Sequence, residues 1–289
     1  MTFTPEQLRL LTQFQQQEIT GCKLYQHLAK REKDPANQKV LHRIASEEMK
    51  HYTTYKAFTG KEIKPDPWQL SVYKLFAFLL GPTFVIKLME KGEADAQVLY
   101  SQLQHLPEIA SIIADEERHE HELIGMIEED RLNYMGSVVL GLNDALVELT
   151  GALAGLTFAL QIPRLIALTG LITGIAAAFS MAASEYLSTK SEDTEKHAGK
   201  ASVYTGIAYL FTVAVLILPY LLLANIYISL GLTLLAAILI IAAFNYYYSI
   251  VKDQKFTRRF GEMIALSMGV ALLSFGVGLL LRKFMGIEV

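Results

Sequence analysis

The stretch YMGSVVLGLNDALVELTGALAGLTFAL, Tyr134–Leu160, decides how this chain is built. It is apolar over the ~20 residues that an α-helix needs to cross a hydrocarbon core of ~30 Å. Yet Asp144 and Glu148 sit inside it, four residues apart and so on one helical face, with Asn143 beside them. An acid near the middle of a span costs roughly 2.5–3.5 kcal/mol even on lenient insertion scales. Two such acids are expected only where a face lines a pathway or binds a cation.

Toward the C-terminus four more apolar stretches follow, at about Leu165–Leu187, Val203–Leu223, Ile226–Tyr248 and Glu262–Leu281. Five membrane spans are predicted. The second carries Met181 and Glu185, again four apart, and a thioether with a carboxylate suits a transition metal better than Na⁺ or K⁺. The bland alternatives are that Met181 fills a core gap and that Glu185 snorkels at the interface. The connectors Gln161-Ile162-Pro163-Arg164 and Ala224-Asn225 are nearly uncharged. The other two loops hold Lys190, Lys196 and Lys200, and Lys252, Lys255, Arg258 and Arg259. Basic loops favour the cytoplasmic side, so the N-terminal half is expected inside and the C-terminus outside.

Toward the N-terminus the character changes. The whole chain is 52% hydrophobic, but residues 1–130 are rich in Glu, Lys and Gln and hold six of the seven His. A net charge of −3 without a basic stripe argues against nucleic-acid binding. The one cysteine, Cys22, excludes an intrachain disulfide and suits a reducing compartment. MTFTPEQLRLL shows no charged segment followed by an apolar one, so no cleavable signal is expected.

Four helices are predicted in this half. Thr4-Pro5 opens the first, to about Lys30, and Asp34-Pro35 the second, to about Phe58. Gly81-Pro82 opens the third, to about Leu103, and Leu106-Pro107 the fourth, through Arg131. Leu70–Leu80 is too short to span and reads as a crossover helix on the bundle, or one lying at the membrane surface. Glu48 and His51 on the second helix are three apart, and so are Glu116 and His119 on the fourth. Glu18 is the acid central to the first helix, and the third offers Glu93 with Glu90 one turn earlier. Two Glu-x-x-His helices with two Glu helices are the donor pattern of a di-metal carboxylate bundle, and such oxygen-rich donors suit Fe(II) or Mn(II). Glu and His on an amphipathic helix are otherwise solvated surface residues; the doubled pattern weighs against that here.

Residues 1–130 resemble the rubrerythrin branch of the ferritin-like superfamily. The resemblance rests on Glu18 with Tyr25, Ala45-Ser46-Glu47-Glu48-Met49-Lys50-His51, Gly92-Glu93 with Tyr100, and Ala114-Asp115-Glu116-Glu117-Arg118-His119-Glu120. It implies Glu18, Glu48, His51, Glu93, Glu116 and His119 as di-iron ligands. Rubrerythrins carry a further Glu where this chain has Ala96, and Glu90 is the candidate substitute. The Cys-rich rubredoxin-like tail is missing, which weakens a peroxidase reading.

Val139–Glu148 with Gly151-Ala152-Leu153-Ala154-Gly155, and Ser180-Met181-Ala182-Ala183-Ser184-Glu185-Tyr186-Leu187-Ser188, resemble the first two spans of the vacuolar iron transporter family. That resemblance covers about 131–289. It implies a homodimer exporting Fe(II) or Mn(II) in exchange for protons, with Asp144 and Met181 on the metal path.

The expectation is therefore an all-α chain: a cytoplasmic ferritin-like four-helix bundle, 1–130, followed by a five-helix transmembrane bundle, 131–289. The expected protein sits in a lipid bilayer, by resemblance a prokaryotic inner membrane, and takes divalent metal ions and protons as partners. Its head captures or oxidises the metal, with ferroxidase activity as one option. The rival expectations are a membrane-anchored di-iron oxidase or peroxidase, and a head that senses metal or peroxide and gates the transporter.

Overall fold

The structure, a computed structural model, describes residues 3–89, 91, 106–125, 133–192 and 196–285. The chain divides into two compact units, Met1–Glu128 and Glu129–Val289. All regular structure among the described residues is helical.

In the first unit, α1 runs Pro5–Ala29. Thr4 and Gln7 close a reciprocal capping box at its start, and Pro5 lies in its first turn, where the missing N–H has no partner to lose. Helix α2, Pro35–Thr59, is capped by the Asp34 carboxylate, which accepts from Ala36 N at 2.7 Å, and ends at Gly60 in the left-handed region. Helix α3 spans Pro67–Leu80 with Asp66 as its cap; residues 82–89 are also helical, and α4 covers Pro107–Gly125. The rest of the expected third helix lies outside the described residues. Leu10, Leu11 and Phe14 of α1, Tyr55 of α2, and Ile109 and Ile112 of α4 form one apolar core at one end of the unit. Burying side chains of this size is worth about 1.5–3 kcal/mol each. That core holds three helices together and leaves the middle of α1, α2 and α4 free to face one another with polar groups.

Among its described residues the second unit holds five helices long and apolar enough to cross a membrane: α5 (Met135–Leu160), α6 (Pro163–Ser191), α7 (Ala198–Leu222), α8 (Ile226–Val251) and α9 (Phe256–Met285). Most of them extend past the apolar stretches, because the backbone ladder continues into the charged loop residues. Leu146, Leu149 and Leu153 of α5 pack with Tyr209, Val213 and Leu216 of α7 in a shared core. Leu168, Ile172, Phe179, Ile207, Leu239 and Leu272 point outward, as lipid-facing side chains do. Helix α5 meets α7 closely because Gly141 presents no Cβ to the Thr205 carbonyl, a contact that a larger residue would block.

Candidate functional site

Polar groups converge between α1, α2 and α4. Each Glu-x-x-His pair lies one turn apart on its helix, so both members face the same side. The fold then brings Glu18, His51 and Glu116 into one donor set and Glu48, Glu116 and His119 into another, the ligand atoms of each lying within 4.8 Å of one another. Glu116 belongs to both. His51 Nδ1 stands 3.4 Å from Glu18 Oε2 and 3.0 Å from Glu116 Oε1; His119 Nδ1 stands 3.7 Å from Glu48 Oε1 and 3.5 Å from Glu116 Oε2. The imidazole rings are 5.9 Å apart and nearly parallel. Gly21 makes room on α1: a Cβ there would stand 2.9 Å from Glu48 Oε2.

The sequence reading missed the groups outside this cluster. His51 Nε2 meets Asp115 at 3.2 Å, and His119 Nε2 meets Glu47 at 2.7 Å. Each is the acid just before the Glu of a Glu-x-x-His, and each reaches across to the other motif's imidazole. Arg118 ties the two acids together, 3.2 Å from Glu47 and 2.8 Å from Asp115. The available signal was the doubled acid in Glu47-Glu48 and Asp115-Glu116.

Burial sets the electrostatics. It raises Glu18 to about 7, and it raises Glu48 well above the carboxylate range with help from the charges of Glu116 and Glu18. Burial also opposes charge on Glu116, but His119 and His51 outweigh it and hold that carboxyl at about 2. The imidazoles respond in kind. Against burial, the neighbouring carboxylates push His51 up to about 11 and His119 to about 10. Burial likewise works against charge at Glu47 and Asp115, yet His119, His51 and Arg118 keep both below their ordinary values.

The donor set fits a metal on a direct observation. Glu18 Oε2, His51 Nδ1, Glu116 Oε1 and His119 Nδ1 are buried and, despite their close approach, lack hydrogen-bond alignment with any partner. A buried polar atom left so costs about 1–3 kcal/mol. With Nε2 of each imidazole committed to a carboxylate, Nδ1 is the nitrogen left to coordinate. Glu90 and Glu93 lie outside the described residues.

In the second unit, Glu148 is the fourteenth of the 26 residues of α5 and accepts a hydrogen bond from the Tyr209 hydroxyl at 2.7 Å. Asn143 and Asp144 are half-buried, while the Glu148 side chain is exposed on the single chain. Met181 is half-buried against the shared core, and Glu185 accepts from Ser137 Oγ at 2.5 Å. The Ser137 carbonyl in turn accepts from Thr205, joining the ends of α5, α6 and α7. Since α6 returns antiparallel to α5 after a two-residue connector, these contacts set a register. Relative to Ser137 and Glu185, Met181 lies about 6 Å deeper, Asp144 about 10 Å and Glu148 about 16 Å, at 1.5 Å per residue. Glu185, Met181, Asp144 and Glu148 thus form a graded series from the end of the bundle to its middle. Tyr209 was the partner that the sequence reading did not foresee.

Five membrane-capable helices make this an integral membrane protein. Residues 135–201 match the model of the VIT family, a stretch that includes all four side chains of the graded series. The match suggests membrane transport of divalent metal ions such as iron or manganese. No curated protein and no solved structure matches the chain.

Proposed function

We propose that this chain exports Fe(II), Mn(II) or both from the cytoplasm in exchange for protons, and that residues 1–130 are a ferritin-like head that collects the metal. The observation that carries this reading is the pair Asp144 and Glu148 at mid-span, inside the stretch that matches the VIT family. The graded series gives cargo a sequence of donors: Glu185, then Met181, then the acids. A carboxylate that releases a cation can take up a proton, which couples the two flows. The exposed position of Glu148 supports a homodimer, because an acid facing hydrocarbon would be costly and a second copy could cover it. The basic loop Lys252–Arg259 supports a cytoplasmic head.

In the head, Glu18, Glu48, His51, Glu116 and His119 would hold the metal, with Glu93 or Glu90 as an expected further donor. A di-iron centre there would supply O₂-dependent oxidation of Fe(II). The chain's own part is to place donors, to orient each imidazole through Glu47 or Asp115, and to keep the cluster buried. Proteoliposomes test the export reading: Asp144→Ala should abolish Fe(II) or Mn(II) flux driven by a pH gradient, and unchanged flux would refute the pathway.

A second reading is favoured by the convergent head cluster: an anchored di-iron oxidase, predicting O₂ consumption that depends on Glu48 and His119 without flux. A sensing head predicts instead that full-length His119→Ala still transports but no longer responds to metal load.

A further inference from the structure

Helix α3 leaves an apolar side uncovered. None of its residues is buried, although it is mostly apolar. Trp68, Ser71, Leu75 and Phe78 recur at spacings of three and four, so they form one stripe along one side. Trp68, Leu75 and Phe78 on that stripe are 78%, 52% and 66% exposed. The other side is more enclosed and mixed in character: Gln69 and Tyr73 hydrogen-bond to each other at 2.9 Å, and Phe76 meets the Phe84 ring edge-on. The helix is anchored at its start, where Asp66 caps α3 and its own N–H donates to Thr20 of α1 at 3.0 Å.

Cations gather beside the stripe. Arg31 lies over the Phe78 ring at 5.9 Å. Burial, and then the charges of Arg31, Lys74 and Lys30, hold His27 below its ordinary value, so all three cations lie within electrostatic range of that α1 side chain. An exposed aromatic and aliphatic ridge flanked by basic residues is the composition of an interfacial helix.

We propose that this face of α3 docks on an anionic phospholipid surface, with Trp68, Leu75 and Phe78 entering the interface and Lys30, Arg31 and Lys74 meeting headgroup phosphates. Charge complementarity selects lipid over a second copy of the chain. A two-fold contact through this stripe would bring the same cations together from both copies, and like charges across an interface disfavour it. The five membrane-capable helices tether the first unit to a bilayer, so a weak surface suffices at the resulting effective concentration. The inference rests on that membrane reading and not on transport.

Trp68 is the only tryptophan, so its fluorescence reports this face alone. The full-length chain would be reconstituted in vesicles of phosphatidylcholine and phosphatidylglycerol, with and without brominated acyl chains. Brominated lipid is expected to quench Trp68, and iodide access to rise several-fold in the double variant Leu75→Glu, Phe78→Glu, with helical circular dichroism unchanged. Quenching should weaken in pure phosphatidylcholine; equal quenching there would remove the role of the three cations. Free iodide access in the unaltered chain overturns the proposal. So does shielding from iodide without quenching by brominated lipid, the result a second copy would give. The unaltered chain decides both points even if the double variant fails to fold.

Discussion

The Tyr209 hydroxyl of α7 donates to the Glu148 carboxylate of α5 at 2.7 Å, at the midpoint of a helix that has to lie in hydrocarbon. The tyrosine is fully buried in the shared core, whereas Glu148, whose carboxylate it holds, is an exposed residue on the single chain. Rigid packing on one side therefore fixes a charge-bearing group on the other. A hydrogen bond to a charged group contributes about 1.5–3 kcal/mol, and loss of the Tyr209 donor takes that contribution away from Glu148.

Tyr209→Phe removes the donor and keeps the ring. The expected outcome is a folded, membrane-inserted protein whose metal flux falls by about tenfold to a hundredfold, the kinetic equivalent of that hydrogen bond. Initial rates of Mn(II) uptake into proteoliposomes, with the amount of inserted protein as control, check this. Flux equal to that of the unaltered chain would show that Glu148 needs no fixed position.

Glu116 is common to both donor sets, whereas Glu18 belongs to one. Glu116→Ala is thus expected to remove both bound metals from the head and Glu18→Ala only one. Metal content per chain after equilibration and desalting distinguishes them. Equal losses from the two variants would contradict the shared role of Glu116.

Much of this architecture is legible in the sequence. The spans were legible because length and apolarity alone decide them, and the Glu-x-x-His pairs because a spacing of three fixes a common helical face. The reciprocal bonds of Glu47 and Asp115 were not, since they depend on the register between α2 and α4, and no pattern within one helix encodes that. Nothing in the sequence sets Tyr209 apart from the other aromatics of the apolar helices, and only the close approach of α5 to α7 at Gly141 puts it beside an acid. Leu70–Leu80 read as an apolar segment on the bundle or at the membrane surface; its outward side follows from how α3 is pinned at Thr20.

The outer acids make a separate prediction. Glu47→Gln and Asp115→Asn keep shape but weaken the bond that orients each imidazole, and losing such a partner typically lowers metal affinity by about 10- to 100-fold. Competition titration with a chelator should show a loss of that size in either variant. The double variant should also release Arg118 from both its carboxylate partners. Affinity unchanged in both single variants would reduce Glu47 and Asp115 to surface acids.

The last prediction concerns protons. In the metal-free head the carboxylates hold His51 and His119 protonated at neutral pH, since they titrate near 11 and 10, and Glu18 near 7 is partly protonated as well. A metal binds neutral imidazole and ionised carboxylate, so binding has to expel these protons. Metal affinity should therefore climb as pH rises through neutrality and level off only above about 11. Stability of the metal-free head has the opposite sign. A histidine whose pKa is raised by folding contributes fully below its ordinary value, and the contribution fades as pH climbs through the folded one. Calorimetric titration of Mn(II) in buffers of different ionisation enthalpy measures the proton release directly. Release near zero at neutral pH would mean that the imidazoles are already neutral, and that the ion pairs with Glu116 and Glu18 do not hold them charged.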